Sequence, residues 1–181
     1  MKKIHAWLAV ILMAVGLGFL APGPASATTS YCGLVWGSLA KADDRMRAEP
    51  VTNVRTGQHY CFDRMVVDLS GQGVGYNVRY VPQVTQDGSG FPVALRGNAF
   101  LQVTVKAPSY EGGNATYLPA NQKEVTNVTG YQTFRQVAWA GSFEGTTNLG
   151  LGVRARLPFR VFTLDGPGSG SRLVVDVAHF W

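Results

Sequence analysis

The sequence predicts a mainly β protein with internal two-part symmetry and one short α-helix near its start. The strand phrase Arg64-Met65-Val66-Val67-Asp68-Leu69 returns towards the other end of the chain as Arg172-Leu173-Val174-Val175-Asp176-Val177. In both copies a cation and a carboxylate bracket β-branched residues, the composition of a strand buried on at least one face. Turn signals break the chain at short intervals, among them Ser70-Gly71-Gln72-Gly73, Asp87-Gly88-Ser89-Gly90, Glu111-Gly112-Gly113-Asn114 and Asp165-Gly166-Pro167-Gly168. Strands between such turns make a sandwich or a barrel. In Tyr76-Asn77-Val78-Arg79-Tyr80 apolar and polar residues alternate, as a half-buried antiparallel strand requires.

Residues 1–27 carry the pattern of a secretory signal peptide: Met1-Lys2-Lys3, an apolar run from Ile4 to Ala21, Pro22-Gly23-Pro24, and small residues before a cut after Ala27. An uncleaved membrane anchor is the alternative for so long an apolar run. Cleavage leaves 154 of the 181 residues, enough for one domain with a real core. Without Lys2 and Lys3, 14 of the 16 basic residues face 11 acidic ones, a formal charge of +3. The arginines are spread from Arg45 to Arg172 without a basic run, which argues against nucleic acid as a partner and suits a mildly acidic polymer. In an exported chain, the two cysteines Cys32 and Cys61 are expected to form a disulfide. Two reactive or metal-binding thiols are the alternative, which no CxxC spacing or adjacent histidine supports.

Along the exported part, Leu34, Val35, Leu39, Ala42 and Met46 recur at three- and four-residue spacing between Tyr31 and Arg47, predicting a short amphipathic helix within an initial segment 28–53. Pro50 ends it. The domain proper is expected over 54–181, with strands at 64–69, 76–81, 99–106, 134–140, 149–155, 158–164 and 172–178. The polar stretch 108–127 reads as a long excursion between sheets, mobile or functional rather than core.

Candidates for catalysis are few. His59 lies in a turn-rich approach to a strand, His179 lies near Trp181, and no HExxH occurs, so neither a metal nor any other cofactor is expected. Ser38-Leu39-Ala40-Lys41 matches a Ser-x-x-Lys pair, but the companion Ser-Asp-Asn motif of the penicillin-binding enzymes is missing, and both side chains read as helix-surface residues. Asp68 and Asp176 are expected to pair with arginines or to cap turns at the ends of equivalent strands. A binding surface is the better expectation. Trp139 and Arg135 lie in the aromatic stretch Gly130 to Gly145, and Arg154 and Arg156 fall two apart where they could clamp a carboxylate or phosphate; these four are the candidate ligand-binding residues.

Cys32-Gly33 with Trp36-Gly37-Ser38-Leu39, then Val54-Arg55-Thr56-Gly57-Gln58-His59-Tyr60-Cys61-Phe62-Asp63-Arg64, Asp87-Gly88-Ser89-Gly90, and Val153-Arg154-Ala155-Arg156-Leu157-Pro158-Phe159-Arg160-Val161-Phe162 resemble secreted actinobacterial proteins of the AMIN-like domain family. The resemblance covers Cys32 to Trp181. It implies an antiparallel β-sandwich of two similar sheets, related to the AMIN domains of cell-wall amidases and secretins. It also implies a non-catalytic, cell-wall associated module whose partner is peptidoglycan. The competing expectation is an interaction or inhibitor module that docks on another exported protein; a small wall hydrolase ranks last, since no closed catalytic set is present.

Overall fold

The computed structural model describes residues 31–181; the predicted signal peptide, 1–27, lies outside the described residues. The strands are β1 (Lys41–Asp43), β2 (Val51–Gln58), β3 (Phe62–Leu69), β4 (Tyr76–Val81), β5 (Val84–Thr85), β6 (Pro92–Val93), β7 (Ala99–Val105), β8 (Tyr110–Glu111), β9 (Asn114–Ala115), β10 (Phe134–Phe143), β11 (Thr146–Val153), β12 (Phe159–Asp165) and β13 (Ser171–Ala178). They build a five-stranded sheet, β1-β4-β7-β11-β10, facing a four-stranded sheet, β12-β13-β3-β2, with β5-β6 and β8-β9 as small hairpins. Every pairing is antiparallel. The fold is therefore an antiparallel β-sandwich.

Alternation puts the core between the sheets. Leu101, Val103 and Val105 of β7, and Leu149, Leu151 and Val153 of β11, are fully buried on one side. Met65 and Val67 of β3, Leu173, Val175 and Val177 of β13, and Phe159 of β12 are fully buried opposite them. Each such side chain contributes about 1.5–3 kcal/mol relative to exposure. Tyr80 bridges the layers: its hydroxyl donates to the Leu157 carbonyl at 2.9 Å and accepts from the Leu157 amide at 3.0 Å, while its ring meets Phe159 edge-on. Asp63, also fully buried, accepts the amides of Thr133 (2.6 Å) and Phe134 (2.9 Å), tying β3 to the start of β10.

The predicted helix between Tyr31 and Arg47 does not form. A single 3-10 turn at Tyr31–Gly33 is followed by an extended arm. Gly37 takes a left-handed φ of +65°, which a helix interior does not use. The backbone groups of the segment bond to the sheets instead: the Phe159 amide donates to the Gly37 carbonyl (2.9 Å), β1 pairs with β4, and the Arg47 amide donates to the Lys106 carbonyl (2.9 Å). Without β1, that edge of β4 would lack its ladder, so long-range pairing overrides a weak local preference. Val35 and Leu39, placed on the helix's apolar face by spacing alone, are 88% and 77% exposed. The Cys32–Cys61 disulfide forms and fastens the arm to the β2–β3 turn.

The stretch 108–127 carries more order than expected. It holds the β8-β9 hairpin, and its end covers the edge of β10, where the Trp139 amide donates to the Gln122 carbonyl (2.7 Å) and the Val125 amide to the Val137 carbonyl (2.8 Å).

Edge strand β1 makes a pH prediction. Arg45 donates through Nε and Nη2 to the Asp43 carboxylate, and these hydrogen bonds hold that carboxyl down to about 2. A depressed acid stabilises the folded form above its unfolded value of 3.8 and loses that contribution as pH falls through about 2. In an acid titration of thermal stability, the component between pH 4 and 2 should shrink in Asp43→Asn. An unchanged profile would show that the pair does not hold β1.

Candidate functional site: the outer face of the four-stranded sheet

Strand register sorts the outward residues of the four-stranded sheet into three cross-strand rows. Arg160, Asp176, Arg64 and Gly57 form the first; Phe162, Val174, Val66 and Arg55 the second; Leu164, Arg172, Asp68 and Asn53 the third. The two copies of the repeated phrase are neighbours here, antiparallel within one sheet, so Arg64 of one faces Asp176 of the other, and Asp68 faces Arg172. The repeat thus marks a local two-fold relation inside this sheet rather than one copy in each sheet.

The first row is the most ordered. Asp176, fully buried, accepts Arg64 Nε at 2.6 Å, Arg64 Nη2 at 2.8 Å and Arg160 Nε at 2.8 Å. Above it, the Arg160 guanidinium lies 4.5 Å from the Trp36 ring centre, 4.8 Å from Phe162 and 5.4 Å from Phe62. Arg64 lies 5.2 Å from Phe62 and 5.6 Å from Phe162. Trp36 meets Phe62 edge-on at 5.5 Å, and His59 stacks on the same Phe62 ring at 4.6 Å. Guanidinium over aromatic faces is favourable by about 0.5–2 kcal/mol per contact, depending on desolvation. The arm supplies Trp36: the disulfide anchors it on one side and the Gly37–Phe159 hydrogen bond on the other.

In the third row, Asp68 pairs with Arg55, which donates Nε and Nη2 at 2.9 Å each, while Arg172 turns away to the Asp165 carbonyl. These carboxylate bonds push the Arg64 and Arg55 guanidinia further up, so both stay charged. The three rows carry four arginines against two carboxylates, an excess of two positive charges. Cations and flat rings on a pleated surface suit binding of a polymer with anionic groups.

The residues predicted from sequence lie elsewhere and are not brought together. Trp139 is buried between the sheets, edge-on to Tyr117 at 5.7 Å. A bulge between Phe134 and Gln136 brings Phe134 into the same core as Val137 and Trp139. Arg135 folds back on its own loop, donating to the carbonyls of Tyr131, Phe134 and Gln132. Arg154 donates to the His179 carbonyl beneath the Phe180 ring, and Arg156 donates to Ser38 Oγ (3.2 Å) and the Ser38 carbonyl (3.1 Å) over Tyr80. Ser38 therefore serves as a partner for Arg156, and Lys41 Nζ sits 4.2 Å over Phe159; the helical Ser-x-x-Lys geometry is absent. His179 is buried, with Nδ1 3.1 Å from Thr133 Oγ1 and Nε2 3.0 Å from the His59 carbonyl.

Arg64, Arg160, Phe62, Phe162 and Trp36 all fall in the stretches that carry the family resemblance, but the resemblance assigns none of them a binding role. The repeated Arg-x-x-x-Asp was a local trace of the Arg64–Asp176 pair alone: residues four apart in a strand share a face, and antiparallel pairing of two copies sets each arginine opposite an aspartate.

The family model for the AMIN-like domain matches residues 49–179, which span β2 to β13 and hence all four strands of this face. The chain belongs to the AMIN-like family. No curated protein and no solved structure matches it. AMIN-like domains are envelope-associated modules of extracytoplasmic proteins and are in general non-catalytic. Trp36 and β1 lie outside the stretch that the AMIN-like model matches. Among the described residues no helix is long and apolar enough to cross a membrane.

Proposed function

We propose that this AMIN-like protein is an exported, non-catalytic module that binds peptidoglycan or an associated wall polymer through the outer face of its four-stranded sheet. The observation that carries the reading is the Arg160–Asp176–Arg64 row under Trp36, Phe62 and Phe162. A buried carboxylate holds two guanidinia in place, and the rings around them offer flat apolar surface for sugar or stem-peptide groups. Sedimentation of the protein without its leader, mixed with insoluble peptidoglycan, tests this. Saturable binding at moderate salt is expected, and Trp36→Ala with Phe162→Ala should weaken it by about tenfold, the loss of about 1.4 kcal/mol of contact. Equal binding by that variant would remove the face from the reading.

The exposed Val35 and Leu39 on the arm favour a second reading, docking on another exported protein. Soluble wall fragments separate the two. They should compete for the proposed face and leave a protein contact through the arm untouched.

A further inference from the structure

We infer that Gly57 floors a seat for a carboxylate of the wall polymer, an inference that rests on the wall-binding reading of the same face. Gly57 lies inside β2, opposite Arg64. Its backbone is outside the left-handed region, and a Cβ built on it meets no atom within 4 Å. Neither conformation nor crowding calls for glycine there. Glycine weakens a strand interior, and where the fold does not require it, it marks a place where something approaches the backbone closely.

The groups around this bare position are basic. Arg55 lies two residues before Gly57 in β2, His59 lies two residues after it just past the strand's end, and Arg64 stands across from it. The His59 ring is exposed and steadied by stacking on Phe62. Arg64 spends Nε and Nη2 on Asp176, and among the described residues its Nη1 has no hydrogen-bond partner. Asp176 brings one negative charge to two guanidinia, while Asp68 pairs with Arg55, so one positive charge is left in the row beside the gap. A monoanion balances it. The open end of a guanidinium offers two coplanar donors, which match the two coplanar oxygens of a carboxylate; a phosphodiester is the competing occupant.

The test reads the seat directly, by NMR titration of the isotope-labelled protein with N-acetylmuramic acid. Its free lactyl carboxylate stands in for the free stem-peptide carboxylates of the polymer, where the lactyl group itself is an amide. N-acetylglucosamine, which lacks a carboxylate, and dimethyl phosphate are the comparison probes. The Gly57 amide, the Arg64 Nε–H and His59 should shift with the first probe and not with the second. Gly57→Val fills the gap at a position that accepts a β-branched residue, so its melting temperature should be unchanged or raised while affinity for N-acetylmuramic acid falls by at least about tenfold. Equal affinity in Gly57→Val, or equal shifts with N-acetylglucosamine, overturns the seat. Tighter binding of dimethyl phosphate overturns the carboxylate assignment. If the protein fails to sediment with peptidoglycan while N-acetylmuramic acid still shifts these three groups, the wall reading fails and the seat stands. If it sediments and Gly57→Val sediments equally well, the seat fails and the wall reading stands.

Discussion

Replacing Cys32 and Cys61 by serine should lower the free energy of unfolding by about 3–4 kcal/mol. The bridge joins residues 29 apart in sequence, and in the chain-entropy model a loop of that length restricts the unfolded chain by this amount. It is a large share of a typical domain's 5–15 kcal/mol. The folded arm keeps other holds: the Tyr31 ring packs edge-on to Phe180, Phe159 donates to Gly37, and Arg156 donates to Ser38. The effect should therefore appear as a lower urea midpoint with the sheet resonances of β3 and β13 in place. Wall binding should fall with it, because the arm that carries Trp36 loses one of its two anchors beside the face. A loss under about 1 kcal/mol in urea titration would mean that the unfolded chain is already compact around residues 32–61 and that the entropic account fails here.

Most strands were legible because their information is local. Tyr76–Val81 has the bounds that alternation assigned, and the predicted run 99–106 ends one residue later than β7 does. β2 escaped prediction because only Val51 and Val54 of its eight residues are buried apolar side chains, too few for a period to register. The helix error has the opposite cause. Val35, Leu39, Ala42 and Met46 do recur at helical spacing, yet what decides the segment is a vacant edge on β4 and a cysteine 29 residues away, neither of which a local window contains. The same limit hid the face: Arg64 and Asp176 are 112 residues apart, and only the register of β3 with β13 makes them a pair. For Trp139, local reading offered a strand aromatic with two possible sides, and the pairing of Leu149 with it on β11 sets it inward.

The repeat supplies its own control for the second large effect. Asp68 and Asp176 hold equivalent places in two copies of one phrase, and Asp176→Ala should cost about 2–4 kcal/mol where Asp68→Ala costs under about 1 kcal/mol. Both substitutions remove a carboxylate bonded to arginine. Asp176 has no exposed surface and accepts three charged donors from Arg64 and Arg160, whose side chains are 23% and 39% exposed; its loss strands two guanidinia that only partly reach water. That partial access places the cost towards the low end for a broken buried pair. Asp68 and its partner Arg55 are 22% and 50% exposed, so Arg55 turns to solvent once released. Equilibrium unfolding of the two variants reads the difference. Sedimentation with wall adds the functional side, since Asp176→Ala frees Arg160 from its place against Trp36 and Phe162, while Asp68→Ala leaves the first row whole. Equal costs for the two variants would mean that the buried carboxylate contributes no more than a surface pair, and the ordered row would then owe its geometry to the packed rings alone.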